Sequence, residues 1–138
     1  MPAVTGVAHL SLTVRNLRVS ETWYRELFGL ERVFDQREPK FDSVVLQDPG
    51  SQMVISLRKH HGAGTARFDE SRTGLDHVSF GVADRASLVE WEKRLAEFAV
   101  EHSAITDTPF GSVLVFRAPD HIQLELFWRG ERGVLNGG

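Results

Sequence analysis

Apolar and polar residues alternate along residues 7–14 and again along 75–82. In the first stretch Leu10, Leu12 and Val14 fall on one side, with His9, Ser11 and Thr13 on the other. In the second, Val78, Phe80 and Val82 oppose His77, Ser79 and Gly81. A period of two predicts a strand with one buried face. After each stretch the period lengthens: Val19, Trp23, Leu27 and Leu30 form one helical stripe, and Leu88, Trp91, Leu95 and Phe98 form another. Asn16 and Asp84 stand where N-caps belong. Extended segments are predicted over 31–37, 42–48 and 52–58 after the first helix, and over 101–105, 111–117 and 121–128 after the second. The predicted order is β-α-β-β-β, twice.

The two halves also match residue by residue. At an offset of 68, Gly6, His9, Ser11, Val14, Trp23 and Leu27 fall on identical residues at Gly74, His77, Ser79, Val82, Trp91 and Leu95. This self-similarity marks a duplicated unit. One domain over 1–138 is therefore expected to hold module one at about 5–58, a polar linker at 59–73, module two at about 74–128 and a fraying tail at 129–138. The linker's Gly62-Ala63-Gly64 lacks the strand, helix and GK[ST] ending of a phosphate loop.

Composition narrows the chemistry. There is no cysteine, which excludes disulfides, thiolate metal sites and a thiol nucleophile. Sixteen basic against nineteen acidic residues, without a basic stretch, leave no electrostatic footprint for nucleic acid. The N-terminus has neither a basic segment nor a long apolar run, and no run suffices to span a bilayer, so a cytoplasmic protein without membrane contact is expected. Any metal must bind through histidine and carboxylate.

His9 and His77 occupy equivalent positions on faces turned away from the helical stripes. The strand around Ile122–Trp128 has Glu125 in the middle of an apolar run, and a carboxylate there needs a cation. An arginine, Arg117 or Arg129, is one answer. A metal held jointly with His9 and His77 is the other, and two imidazoles with one carboxylate suit Fe2+ or Mn2+, with Zn2+, Ni2+ or Co2+ as alternatives. His60 and His61 read as a solvated linker pair, His102 as a surface residue, and Trp23 and Trp91 as core.

The paired modules, the strand-borne histidines and the endings Asp48-Pro49-Gly50 and Ala118-Pro119-Asp120 resemble the vicinal oxygen chelate superfamily over about residues 5–128. That group includes glyoxalase I, extradiol dioxygenases, methylmalonyl-CoA epimerase, fosfomycin-resistance enzymes and bleomycin-resistance proteins. The resemblance implies an α+β fold in which two βαβββ modules form a cup-shaped, incompletely closed barrel. It also implies His9, His77 and Glu125 as ligands of a divalent metal ion. Aligning Pro49 with Pro119 places Ile55 where a fourth ligand would stand, which departs from glyoxalase I and leaves a His/His/Glu set. Val115, His121 and the lack of histidine over 105–108 depart from the extradiol signature.

The implied cup would be lined by Ser11 and Ser79, by Met53, Ile55 and Leu57 if Ile55 faces inward, and by Phe127 beside Glu125. His121 is a candidate for proton transfer or for support of a ligand, and the general base is unassigned. The resulting expectation is a metal-dependent enzyme, a lyase, isomerase, transferase or oxygenase, that chelates two oxygens of a small organic substrate and works as a homodimer. The rival is a non-catalytic protein that sequesters an apolar metabolite or antibiotic.

Overall fold

A computed structural model describes residues 1–130; the expected tail lies outside the described residues from 131 onward. The chain divides into two compact units, Met1–Arg67 and Phe68–Gly138, and the boundary falls inside the polar stretch expected to link the modules.

The first unit runs β1 (Leu10–Thr13), α1 (Leu17–Phe28), β2 (Glu31–Arg37), β3 (Phe41–Gln47) and β4 (Val54–His60). Its sheet has the order β1-β4-β3-β2, with β1 parallel to β4 and the other pairs antiparallel. Asn16 caps α1 by accepting from the Val19 N–H at 3.1 Å, and Gly29, at φ 70°, ends it in the left-handed conformation with its N–H on the Arg25 carbonyl. On one face of the sheet Leu10 and Leu12 pair with Ile55 and Leu57, which in turn meet Leu46 and Val44. Leu46, Ile55 and Leu57 are fully buried there.

Helix α1 packs across β3 and β4. The stripe it buries is Ser20, Glu21, Tyr24 and Leu27, one position round from the expected Val19 and Trp23, and Val19 is 54% exposed. The reason is a buried carboxylate that hydropathy discounts. Glu21 accepts from Arg32 Nε and Nη2, both at 2.7 Å, and from Arg25 Nη1 at 3.4 Å. The Arg32 guanidinium holds the Glu21 carboxyl below the usual carboxylate range. With that charge met, the helix turns Tyr24 inward.

The second unit repeats the plan: β5 (Val78–Gly81), α2 (Arg85–Glu97), β6 (Thr106–Thr108), β7 (Gly111–Arg117) and β8 (Gln123–Trp128), with a 3-10 turn at Pro119–His121. Its sheet order is β5-β8-β7-β6. Asp84 accepts from the Ser87 N–H at 2.7 Å to cap α2. Leu88 and Leu95 of α2 are buried with Leu114, Phe116, Leu124 and Leu126 of β7 and β8. The predicted strand at 101–105 does not form as such. The chain follows β7 there, but the Ser103 hydroxyl accepts from the Val115 N–H at 3.1 Å, so a side chain occupies a main-chain donor and the ladder stops. A single bridge, His102 to Phe116, remains, and β6 begins at Thr106.

Two βαβββ modules thus form an α+β fold. Among the described residues no helix is long and apolar enough to cross a membrane.

Candidate metal site

In the second unit β5 lies parallel to β8, with Val78 opposite Leu124, Ser79 opposite Glu125, Phe80 opposite Leu126 and Gly81 opposite Phe127. Alternation sends Leu124 and Leu126 into the core and turns Glu125 and Phe127 to the other face, beside Ser79. Across β7 the same face carries Val115 opposite Glu125 and Val113 opposite Phe127. Ser79, Glu125 and Phe127 therefore share one surface of the sheet.

His77 enters this surface just before β5. Its Nδ1 lies 2.7 Å from Asp76 Oδ1 and its Nε2 3.5 Å from Glu125 Oε1. Asp76 is held in turn: the same Oδ1 accepts from Gln123 Nε2 at 3.0 Å. Gln123 Oε1 accepts from Arg117 Nη2 at 3.2 Å, and Arg117 forks onto Glu70 at 2.7 and 3.2 Å. The Arg117 guanidinium pulls the Glu70 carboxyl down to about 2. A continuous polar chain therefore runs from the segment before β5, across the end of the sheet, to the histidine ring. Phe68 fastens the same segment by donating its N–H to the Asp120 carbonyl at 2.8 Å.

A carboxylate only accepts, so Nδ1 carries a proton toward Asp76, and Nε2 faces a second carboxylate, Glu125. The 3.5 Å between Nε2 and Oε1 is filled either by a proton or by a cation. Two donors bound to one ion at about 2.1 Å stand about 3.0–3.4 Å apart, according to the angle between them. At 3.5 Å the pair stands just wider than that span, and its donors, an imidazole nitrogen and a carboxylate oxygen, are of the kind that hold a divalent ion. The alternative source of charge is not used: among the described residues Arg117 is an ion-pair partner of Glu70, and the ion-pair partner of Glu125 is His77. Glu125 has a side-chain exposure of 16%. Among the described residues no group of three or more His, Asp or Glu side chains is gathered as a metal site; in the second unit two donors are brought together.

The first unit changes part of the sequence reading. There Ser11 pairs with Ser56 as Ser79 pairs with Glu125. Ser56, not Ile55, is the counterpart of Glu125. The turn between β3 and β4 closes with the Asp48 N–H on the Met53 carbonyl, whereas the turn between β7 and β8 closes with the Ala118 N–H on the Ile122 carbonyl. The first turn is one residue longer, so superposing the two prolines displaces everything after them by one residue and inverts the faces. Ile55 and Leu57 belong to the leucine core and do not line the face of Ser11; Met53, before β4, belongs to the turn. Ser11 and Thr13 are exposed, and His9, immediately before β1, is exposed as well.

The other histidines have contacts of their own within each unit. His121, at φ 65°, turns its Nδ1 toward Glu101 Oε2 at 3.8 Å, while its carbonyl accepts from Arg117 Nη1 at 3.0 Å. Its connection to the polar chain is thus through the main chain. His60 closes β4 against the Phe41 ring, and His61 Nδ1 meets the Pro39 carbonyl at 3.0 Å with Asp42 at its Nε2. Asp76, Gln123 and Glu70 are not marked by the sequence, and Arg117, a candidate partner for Glu125, pairs with Glu70 instead. The available signal was alternation: Gln123 stands two residues before Glu125 on the same strand, and Asp76 directly precedes His77.

Comparison with known proteins matches this arrangement of two modules. Residues 6–126 match the model of the Glyoxalase/Bleomycin resistance protein/Dioxygenase superfamily. A glyoxylase/bleomycin resistance protein/dioxygenase domain from Frankia sp. EAN1pec is 38% identical, with a TM-score of 0.86 over 92% of this chain and 99% of that one. A glyoxalase family protein from Enterococcus faecalis is 20% identical, with a TM-score of 0.73 over 89% and 97%. A mutant of the fosfomycin resistance protein FosX from Listeria monocytogenes, complexed with Mn(II) and 1S,2S-dihydroxypropylphosphonic acid, is 16% identical, with a TM-score of 0.67 over 91% and 93%. Comparison with curated proteins gives no match. With the family model spanning both modules, from the glycine before β1 to the end of the core of β8, the chain belongs to the glyoxalase/bleomycin resistance protein/dioxygenase superfamily.

Proposed function

We propose that His77 and Glu125 hold a divalent cation, with His9 as the third protein ligand, and that the protein is an enzyme acting on a small oxygenated organic substrate. One observation carries the reading: Glu125 is largely buried, and it is faced at 3.5 Å by Nε2 of a histidine whose Nδ1 lies 2.7 Å from Asp76. Nitrogen and oxygen donors without sulfur favour Fe2+ or Mn2+, and the Mn(II) in the FosX complex supports the choice. When bound, such an ion polarises substrate oxygens and stabilises the negative charge that develops on them.

The chain's own residues supply the rest. Asp76 fixes the tautomer of His77, Gln123 and Arg117 hold Asp76, and the Ser79 hydroxyl lies beside Glu125 as a hydrogen-bond donor for a substrate oxygen. Val113, Val115 and Phe127 on the same face offer an apolar surface for the substrate body. The reading includes a homodimer, with His9 supplied either by the same chain or by the partner.

The test is Mn(II) and Fe(II) binding by equilibrium dialysis on the full chain. Near-stoichiometric binding to the wild type, abolished in Glu125→Ala and weakened in His9→Ala, is the expected result. Wild-type protein that takes up neither ion overturns the proposal. Mixing His9→Ala with Glu125→Ala chains resolves the source of His9: restored binding in verified heterodimers shows a shared site, and no restoration shows a site within one chain.

A further inference from the structure

Among the described residues, one cation of the first unit, Arg58, has no counter-charge. Arg58 of β4 is in register with Thr13 of β1 and Ser43 of β3, two residues beyond Ser56. Its side chain therefore leaves the sheet on the face of Ser11, Thr13, Ser43 and Ser56, opposite the leucine core. The Arg58 guanidinium carbon sits 3.9 Å from the centroid of the Phe41 ring. The ring covers one flat side of the guanidinium and orients it, which leaves the in-plane N–H groups, the edge through which arginine engages planar or tetrahedral oxyanions.

Among the described residues no acceptor meets the buried part of that edge. The Arg58 Nε–H is buried and makes no hydrogen bond. Three acids of the first unit are engaged elsewhere: Glu21 with Arg25 and Arg32, Asp42 with Arg37 and His61, and Glu38 with Gln36. Among the described residues none forms an ion pair with Arg58. A guanidinium keeps its charge at every pH a folded protein meets, so a half-buried one without an anion carries a standing penalty unless a ligand removes it. The duplication sharpens the point. The register slots holding Glu125 and Phe127 in the second unit hold Ser56 and Arg58 in the first. Where one copy has an acid followed by an aromatic ring, the other has a hydroxyl followed by a cation.

We propose that Arg58 binds an oxyanion of a small molecule, a carboxylate or a phosphonate, with the hydroxyls of Thr13, Ser43 and Ser56 around it. That this anion belongs to the substrate rests on the enzyme reading above; the binding itself does not.

The experiment titrates the full chain, with and without Mn(II), with phenylphosphonate, benzoate and neutral benzyl alcohol, followed by calorimetry. Wild type is expected to bind at least one of the two anions about tenfold or more tightly than benzyl alcohol. The preferred anion identifies carboxylate or phosphonate as the class. Arg58→Leu is expected to bring the anion down to the level of the alcohol. Arg58→Lys, which keeps the charge but loses the fork, is expected to fall between and controls for folding. Anion binding unchanged in Arg58→Leu, or no preference for anions in the wild type, overturns the inference. Mn(II) affinity separates the two proposals. Arg58-dependent anion binding without Mn(II) uptake leaves this site and removes the metal reading, and Mn(II) uptake without it does the reverse.

Discussion

Replacing Asp76 by alanine probes the polar chain at its most informative link. The substitution removes the acceptor 2.7 Å from His77 Nδ1 and, with it, the Oδ1 that also takes the Gln123 Nε2 proton. His77 then loses the partner that fixes its tautomer, and its Nε2 no longer meets Glu125 as a pre-set donor. Partners of metal-bound histidines contribute about 10–100-fold in metal affinity. Asp76 is 61% exposed at its side chain, so solvent screens the contact and replaces part of it. The lower end applies: about tenfold, or about 1.4 kcal/mol of binding free energy. Asp76→Asn keeps a neutral acceptor and should lose about threefold, between the two. Mn(II) titration followed by the electron paramagnetic resonance of the free ion reads the affinity directly. Nitrogen NMR of His77 reads the tautomer independently of the metal. An Asp76→Ala protein that keeps wild-type Mn(II) affinity within about twofold, while Glu125→Ala loses it, would refute the role assigned to the chain.

Three further outcomes follow from the same geometry. Ile55→Ala should destabilise by about 3 kcal/mol in urea unfolding, because Ile55 is fully buried in the leucine core; Ser56→Ala should change stability by less than about 1 kcal/mol, and equal effects would contradict the register. Gly111 sits at φ 140°, and a Cβ there would overlap the Trp128 carbonyl oxygen, so Gly111→Ala should lower stability by about 2–3 kcal/mol; an unchanged Tm would show that the turn can move. Glu70 has a folded value of about 2 against an ordinary 4.5, set first by its hydrogen bonds from Arg117. Its contribution is therefore fully present above pH 4.5 and disappears as pH falls toward about 2. The Tm difference between wild type and Glu70→Gln should shrink over that window, and a difference that stays constant into acid would exclude the linkage.

Much of the fold was legible because alternation reports a face directly. Leu12, Val14 and Phe80 are buried as their parity required, and Ser11, Thr13 and Ser79 are exposed. The repeat placed two capped helices correctly, and strand pairing puts Glu125 on the same face as Ser79. Hydropathy failed where a polar group was satisfied by a distant partner. Glu21 is buried because Arg32 reaches it from β2, and the Ser103 hydroxyl ends a ladder that the apolar pattern alone would continue. The misplacement of Ile55 had another cause. The prolines of the two turns match as a motif, but what a strand displays depends on the count of residues from the pairing partner, and one residue is enough to invert it. Asp76 and Gln123 escaped notice because each is an ordinary polar residue until the sheet puts it beside His77.

The longer turn between β3 and β4 also bears on how the two modules come to differ. Both copies keep the same pairing of first and last strands, so the difference of one codon is absorbed in the turn, where Gln52 takes φ 65°, and never reaches the strand. An insertion within β4 would exchange the core face for the face of Ser56 and Arg58. Confined to the loop, it left Ser56 and Arg58 free to mutate under requirements different from those on Glu125 and Phe127. The copies could then specialise without either one having to refold.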